Sequence, residues 1–252
     1  MLTDVTVVKV GGHELDDPVW LPELCVALAA GGPTVVVHGG GREVSALQDR
    51  LGLTPEWRDG LRVTDPATLE VVSMVLTGLV NKRLVAALIS AGARAAGVSG
   101  EDDGLIRAEP VRGGELGRTG APVSVRPHLL RLLLGAGITP VVSPLSRGSD
   151  GSPLNVNADD AAVALAVALG ARRLLFVSNV AGVELEGTIA AELSPVTVEE
   201  AISAGAVTGG MTPKLRAAAR ASAAVPQVRV GGLALLTGGQ GTRVVAVRER
   251  VA

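Results

Sequence analysis

The chain has 252 residues, 47% of them hydrophobic, and a formal net charge of −2 at pH 7, enough to bury a sizeable core without disulfides or a structural metal. Near-neutral charge with one Phe, two Trp and no Tyr speaks against a nucleic-acid partner, which needs a basic surface and rings for bases to stack on. The mean hydropathy is positive, +0.40, but the apolar runs are broken by Gly, Arg or Pro and fall short of the roughly 18–20 residues of a membrane span.

In chain order, residues 1–8 carry Asp4 and run straight into a strand pattern over 5–10. They lack the basic, apolar and cleavage regions of a secretory signal, so a cytoplasmic location is expected. A helix is predicted over 18–30, with Cys25, the only cysteine, in its apolar part as a reduced core thiol. Strand 34–37 and helix 42–51 follow, then a long helix over 65–91 that opens on Asp65 as cap and Pro66 at the first helical position. Further strands are predicted at 93–98, 138–142, 174–177 and 228–230, and helices at 126–135, 158–169, 197–204 and 211–224. Gly92, Gly135 and Gly170 stand where a glycine would stop a helix. Such alternation predicts an α/β fold with a largely parallel sheet and helices on both faces. Residues 102–125 and 143–157, rich in Gly, Ser, Pro and charge, read as hairpin excursions beside a cleft. A soft boundary near residue 171 divides two lobes that share the sheet.

No Walker A loop is present, and no G-x-G-x-x-G follows a strand. Instead, two strands end in glycine-rich turns, Val8-Lys9-Val10-Gly11-Gly12 and Val37-His38-Gly39-Gly40-Gly41-Arg42. Glycine lets backbone approach a phosphate, and N–H groups at a helix opening favour anionic oxygens. Alone, Gly11-Gly12 would be an ordinary tight turn. Lys9 changes that reading, because it interrupts an apolar strand and a buried ammonium costs several kcal/mol unless an anion compensates it. A strand-end lysine reaching back to water is the bland alternative. Arginine supplies nearly all of the positive charge, and only Lys9, Lys82 and Lys214 are lysines. Along 154–159, polar Asn155, Asn157 and Asp159 gather before a helix; capping accounts for Asn157 or Asp159 but not for Asn155 as well. Residues 209–214 form another glycine-led helix start, where Lys214 opposes the helix dipole unless an anion sits nearby. A solvated lysine there is equally compatible with the residues alone.

Taken in order, VKVGG (8–12), VHGGG (37–41), GLRVTD (60–65), GLVNK (78–82), NVNAD (155–159) and GGMTPK (209–214) resemble the N-acetylglutamate kinases of the amino-acid kinase superfamily. The similarity spans nearly the whole chain. It implies a three-layer αβα sandwich, with residues 1–170 binding the acyl amino acid and dimerising, and 171–252 binding ATP. It implies catalysis by Lys9, Lys214, Asp159 and Gly12, with Asp159 holding both lysines and the Gly12 and Gly40 amides on the transferring phosphoryl group. Gly40, Gly41, Arg62, Asn155 and Asn157 would hold the acid. Ser178, Asn179, Val180, Gly182, Val183, Thr208, Gly209, Met211 and Lys214 would hold the nucleotide, with Mg²⁺ carried mainly by its phosphates and no metal site of the protein's own. The implied reaction moves the γ-phosphoryl group of ATP to the side-chain carboxylate of N-acetyl-L-glutamate, in arginine biosynthesis. An ionised carboxylate needs no general base, so positioning and charge neutralisation suffice, and Arg62 offers a planar fork for a substrate carboxylate.

The commonest family pattern has Asp where Asn179 stands. A related kinase, acting on aminoadipate attached to a small carrier protein, can show Asn there. Carrier-bound aminoadipate or glutamate, with a small acidic carrier as partner, is therefore the alternative, although GGMTPK resembles the acetylglutamate enzymes. A non-catalytic sensor of the same fold is a further alternative, against which the joint presence of Lys9, Asp159 and Lys214 counts. GLRVTD with NVNAD counts against another acid or carbamate kinase. The first strand begins near Val5, leaving no room for the extra N-terminal helix of arginine-regulated hexamers. An arginine-insensitive homodimer joined through the helix at 65–91 is expected.

Overall fold

In the computed structural model, which describes residues 4–12 and 14–246, every strand expected from the sequence pairs into one sheet. The front half runs β1 (Thr6–Val10), α1 (Trp20–Ala29), β2 (Thr34–His38), α2 (Gly41–Arg50), a hairpin of β3 (Trp57–Arg58) and β4 (Leu61–Arg62), α3 (Pro66–Ser73), a π-helical stretch Met74–Val80, α4 (Asn81–Ser90) and β5 (Ala95–Ser99). Next come β6 (Ile106–Pro110), β7 (Thr119–Val125), α5 (His128–Gly135), β8 (Thr139–Ser143), β9 (Leu145–Arg147), β10 (Pro153–Val156) and α6 (Ala158–Leu169). The last part holds β11 (Arg173–Val177), a hairpin of β12 (Glu184–Leu185) and β13 (Thr188–Ile189), β14 (Glu192–Leu193), α7 (Pro195–Ser203), α8 (Met211–Ala221), β15 (Gln227–Gly231) and β16 (Thr242–Val244).

The main sheet has eight strands in the order β14-β16-β15-β11-β1-β2-β8-β5. It is parallel except where β16 runs antiparallel to β15. Strand β1 lies between β2 and β11 with Lys9 opposite Val37 and Phe176, and Val10 opposite His38 and Val177. The turns after these three strands therefore emerge at one level, where open α/β sheets bind ligands. Strand β1 is buried on both faces, which explains its continuous valine run. Val7 belongs to the core beneath α5–α8, while Val8 and Val10 belong to the core beneath α1–α4. By the period of two, Lys9 shares the face of Val7 and looks toward α6.

The two excursions pair with each other as a small four-stranded barrel of β10, β7, β6 and β9. The edge strand β14 and its neighbour β16 lie outside the sequence expectation, because two or three residues carry no readable period. Asp65 caps α3 as expected, accepting from Thr68 N at 2.7 Å, with Pro66 in the first turn. Gly92 and Gly170 do take positive φ after their helices, but α5 runs through Gly135 and its left-handed residue is Gly137. Cys25 is buried and unpaired, its thiol pushed up to about 11 by burial.

As expected, Pro66–Ser90 is one continuous helical stretch, although its length and composition alone would suit a membrane span, which the reading of short apolar runs does not anticipate. Here Val71, Val72, Val75, Leu76, Val80, Leu84 and Leu88 face the core, while Met74, Leu79 and Ile89 are exposed. Asp65→Ala is expected to cost about 1 kcal/mol through loss of the cap, read as a lower urea midpoint with unchanged slope. An unchanged midpoint would show that Pro66 and packing fix the helix start without it.

Candidate active site

The turns after β1 and β2 meet at Gly12 and Gly40. A Cβ on Gly12 would lie 2.8 Å from Gly40 N, and one on Gly40 would lie 2.6 Å from Leu76 Cδ2. Side chains are thus excluded, and backbone meets backbone. Among the described residues, neither the Gly12 nor the Gly40 N–H has a protein acceptor. Both amides border the same cavity, beside the N-terminus of α2, so two free donors and a positive helix end converge.

Lys9 is only 8% exposed, and its Nζ lies 2.7 Å from Asp159 Oδ1. Asp159 is 6% exposed in the first turn of α6, whose N-cap, Asn157, accepts from Asp159 N at 2.7 Å. Lys214 is 9% exposed in the first turn of α8, and its Nζ donates to Ser178 Oγ at 3.4 Å. It is therefore not a solvated lysine. Burial and then the charge of Lys9 hold the Lys214 ammonium below its ordinary value, with Asp159 and Glu14 pushing the other way. The two lysines, from opposite ends of the chain, thus share one electrostatic field. The expected tethering of both by Asp159 is half realised, since the ion pair is with Lys9. Lys214 feels that carboxylate without pairing to it.

On one side of this centre lies a cavity of about 200 Å³, bordered by Lys9, Gly12, Gly40, Gly41, Trp57, Arg62, Asn155, Asn157 and Asp159. Arg62, which the resemblance assigns to the acid, is 5% exposed. Its guanidinium donates to Gln48 Oε1 and, at 2.8 Å each, to Gly41 O and Ser45 Oγ, and its carbon sits 4.3 Å from the centre of the Trp57 ring. All of these partners are neutral. Burial without an anion lowers the group to about 10, still a cation at neutral pH and one lacking a carboxylate among the described residues. Asn155 Nδ2 donates to Thr64 Oγ1 at 3.0 Å. Sequence reasoning missed Trp57, Gln48 and Ser45. Ser45 and Gln48 share a helical face with Gly41, a usable signal, whereas nothing local marks Trp57.

Beyond the end of β11, a cavity of about 410 Å³ is bordered by Val180, Gly182, Val183, Thr208 and Met211. Another of about 860 Å³ is bordered by Ser178, Asn179, Val180, Trp20 and Arg229. Gly209, at φ 60° just before α8, borders neither of these two. Asn179 N donates to Glu14 Oε1 at 3.2 Å, and Glu14 Oε2 is buried with no hydrogen-bond partner among the described residues. Glu14 also escaped sequence reasoning, since no motif contains it. The arrangement suits a compact, highly charged anion held between two ammonium groups and two amides, with a small-acid cavity on one side and larger cavities on the other.

Residues 4–231 match the model of the amino acid kinase family. The chain is 48% identical over 247 residues to the acetylglutamate kinase of Chloroflexus aurantiacus, covering 96% of this chain and 97% of that protein. It is 45% identical over 227 residues to the acetylglutamate kinase of Geobacillus kaustophilus, covering 89% and 88%. Among solved structures, smu.665 from Streptococcus mutans UA159 superposes with a TM-score of 0.85 at 29% identity, over 97% of this chain and 99% of that one. A carbamate kinase from Giardia lamblia bound to AMP-PNP superposes at 0.71 with 16% identity, over 97% and 99%, a likeness of fold alone.

Because Lys214 loses its proton below the ordinary 10.5, sulfate affinity measured by calorimetry should fall as pH rises through that lowered value. Asp159→Asn removes a carboxylate that favours the ammonium form, so the fall should move to lower pH. A sulfate affinity constant from about pH 7 up to 10.5 would show that Lys214 does not face the anion.

Proposed function

The chain belongs to the amino acid kinase family, and from that premise we propose that it phosphorylates the side-chain carboxylate of N-acetyl-L-glutamate with ATP, giving an acyl phosphate and ADP, in the arginine pathway and in the cytoplasm. One observation carries this reading. Two buried lysines, Lys9 and Lys214, share a field between a small cavity holding a buried arginine without a counter-anion among the described residues and cavities large enough for a nucleotide. The names of the relatives supply the acid.

In the proposed reaction, residues 1–170 receive the acid and residues 171–252 the nucleotide. A carboxylate oxygen attacks the γ-phosphorus, its new P–O bond forms as the bond to the β-phosphate oxygen breaks, and no proton has to move. Lys9 and Lys214 balance the charge on the migrating group, and the Gly12 and Gly40 amides donate to its equatorial oxygens. Asp159 holds Lys9 in place. Arg62, already oriented by Gly41, Ser45 and Gln48, takes a carboxylate of the acid, with Gly41, Asn155 and Asn157 along the rest of it. Ser178, Asn179, Val180, Gly182, Val183, Thr208, Gly209 and Met211 hold the nucleotide. Mg²⁺ arriving with ATP would neutralise its phosphates. The buried Glu14 Oε2, which has no hydrogen-bond partner among the described residues, suits it as acceptor for water around such a cation.

Carrier-bound aminoadipate is the second reading, favoured by Asn179 alone. We further propose a homodimer through Pro66–Ser90, supported by the exposed Met74, Leu79 and Ile89 on that stretch.

Trapping the acyl phosphate with hydroxylamine tests the reading, using N-acetylglutamate, glutamate, aspartate and carrier-linked aminoadipate in parallel. Product from N-acetylglutamate is expected; product only from the carrier-linked acid would replace the substrate. Lys9→Ala and Lys214→Ala should each lower kcat by about 10²–10³, whereas Arg62→Ala should chiefly raise KM for the acid. Light scattering should give twice the chain mass, and a monomer or hexamer would remove the proposed interface.

A further inference from the structure

The transfer reaction leaves one of the three lysines unused. Lys82 Nζ donates to Asn81 Oδ1 at 3.2 Å and to Gly97 O at 3.3 Å. Asn81 is buried, and its Nδ2 reaches Val141 O at 2.9 Å and His38 Nε2 at 3.1 Å. His38 has no exposed surface, and its Nδ1 lies 2.8 Å from Gly39 O. This chain of contacts ends in the glycine turn beside the transfer centre.

Each polar atom in it has one consistent role. Gly39 O can only accept, so His38 Nδ1 carries the proton and Nε2 is left as the acceptor for the Asn81 amide. Lys82 can only donate and Val141 O can only accept, which fixes Asn81 with Oδ1 toward the lysine and Nδ2 toward the carbonyl. Burial lowers His38 to about 4, with the charge of Lys82 acting in the same direction and the bond to Gly39 opposing. The ring is therefore neutral at ordinary pH. Room for Asn81 comes from Gly97, where a Cβ would run into Asn81 Oδ1. The π-helical stretch just before Asn81 packs Leu76 and Val80 against Gly40, and such stretches recur at functional sites.

The Gly39 carbonyl and the Gly40 N–H belong to a single planar trans peptide unit and point in opposite directions. Glycines flank that unit on both sides, so little in its own covalent structure opposes a flip. A flipped unit would aim a carbonyl oxygen at the phosphoryl group in place of a donor. We propose that Lys82, Asn81 and His38 form a positioning relay that holds the Gly39 carbonyl away from the transfer centre and thereby presents the Gly40 N–H to the migrating phosphoryl group. The inference rests on the reading of Gly40 as a phosphoryl donor under the proposed function.

Two experiments on the full chain test it. In the hydroxylamine assay, His38→Leu removes the hydrogen bond to Gly39 and should lower kcat about 100-fold, with KM for the acid changed less than about threefold. His38→Asn returns an N–H near the place of Nδ1 and should recover at least about a tenth of wild-type kcat. Wild-type turnover in a folded His38→Leu protein overturns the relay, and so does an equal loss in both variants, which would mark a packing role. Independently of turnover, imidazole ¹⁵N NMR should find the His38 ring as the Nδ1–H tautomer, with an Nε2–H population appearing in Lys82→Met. An Nε2–H ring in the wild type, or no change in Lys82→Met, overturns it. A wild-type protein inert toward N-acetylglutamate would sink the substrate reading alone, and the ring tautomer would then decide the relay.

Discussion

The ion pair between Lys9 and Asp159, 2.7 Å long and almost wholly removed from water, organises everything around it. Buried pairs seldom stabilise a fold better than well-packed apolar residues, yet removing one partner strands a charge at a cost of about 3–5 kcal/mol. A valine at position 9 would suit β1 as well as its neighbours do. Lysine there makes sense only if something beyond folding uses the ammonium. The burial of charge does not stop at the pair, because Lys214 lies within its field and, among the described residues, donates to the Ser178 hydroxyl alone. The centre thus sets two cations against Asp159 and Glu14, and binding a polyanion there offsets the repulsion between the lysines.

The sheet makes this concentration of charge possible. Because β1 is central and in register with β2 and β11, glycine turns, a lysine and the Ser178 turn come out at one level without any long loop to order them. The donors on the glycine turns are neutral and the lysines are charged, so the two kinds of group depend on different supports. The lysines rely on carboxylates, whereas the amides rely on packing. Gly12 abuts Gly40, and Gly40 abuts Leu76, a contact only a side-chain-free backbone permits.

How much of this was legible in the sequence follows from the same physics. A strand buried on both faces must be apolar throughout, so β1 and β2 stood out as valine-rich runs and Lys9 as the break in one of them. The long helix was marked by Asp65 and Pro66, whose capping role is local. Burial of Lys214 was not legible, because an early-helix lysine reads alike in water and in a core. Arg62 was marked only by its place in GLRVTD, and its burial was not legible, since the atoms that enclose it, on Gln48, Ser45 and Trp57, are brought to it by the fold. The strands β6, β7, β9 and β10 were seen only as two hairpin excursions, each paired within itself, because the pairings that close them into one barrel join segments far apart in the chain. Chain-local patterns could not show that partnership.

Asn179 meets this centre through its backbone: its N–H donates to Glu14 Oε1 at 3.2 Å while the residue itself is exposed. Glu14 in turn favours the ammonium form of Lys214, against burial and the charge of Lys9. Every residue but proline offers that N–H, so the contact that ties position 179 to Glu14 is the same whether an amide or a carboxylate stands there. The charge balance around Lys214 therefore rests on Lys9, Asp159 and Glu14, and the side chain at 179 is left to act on whatever binds outside it.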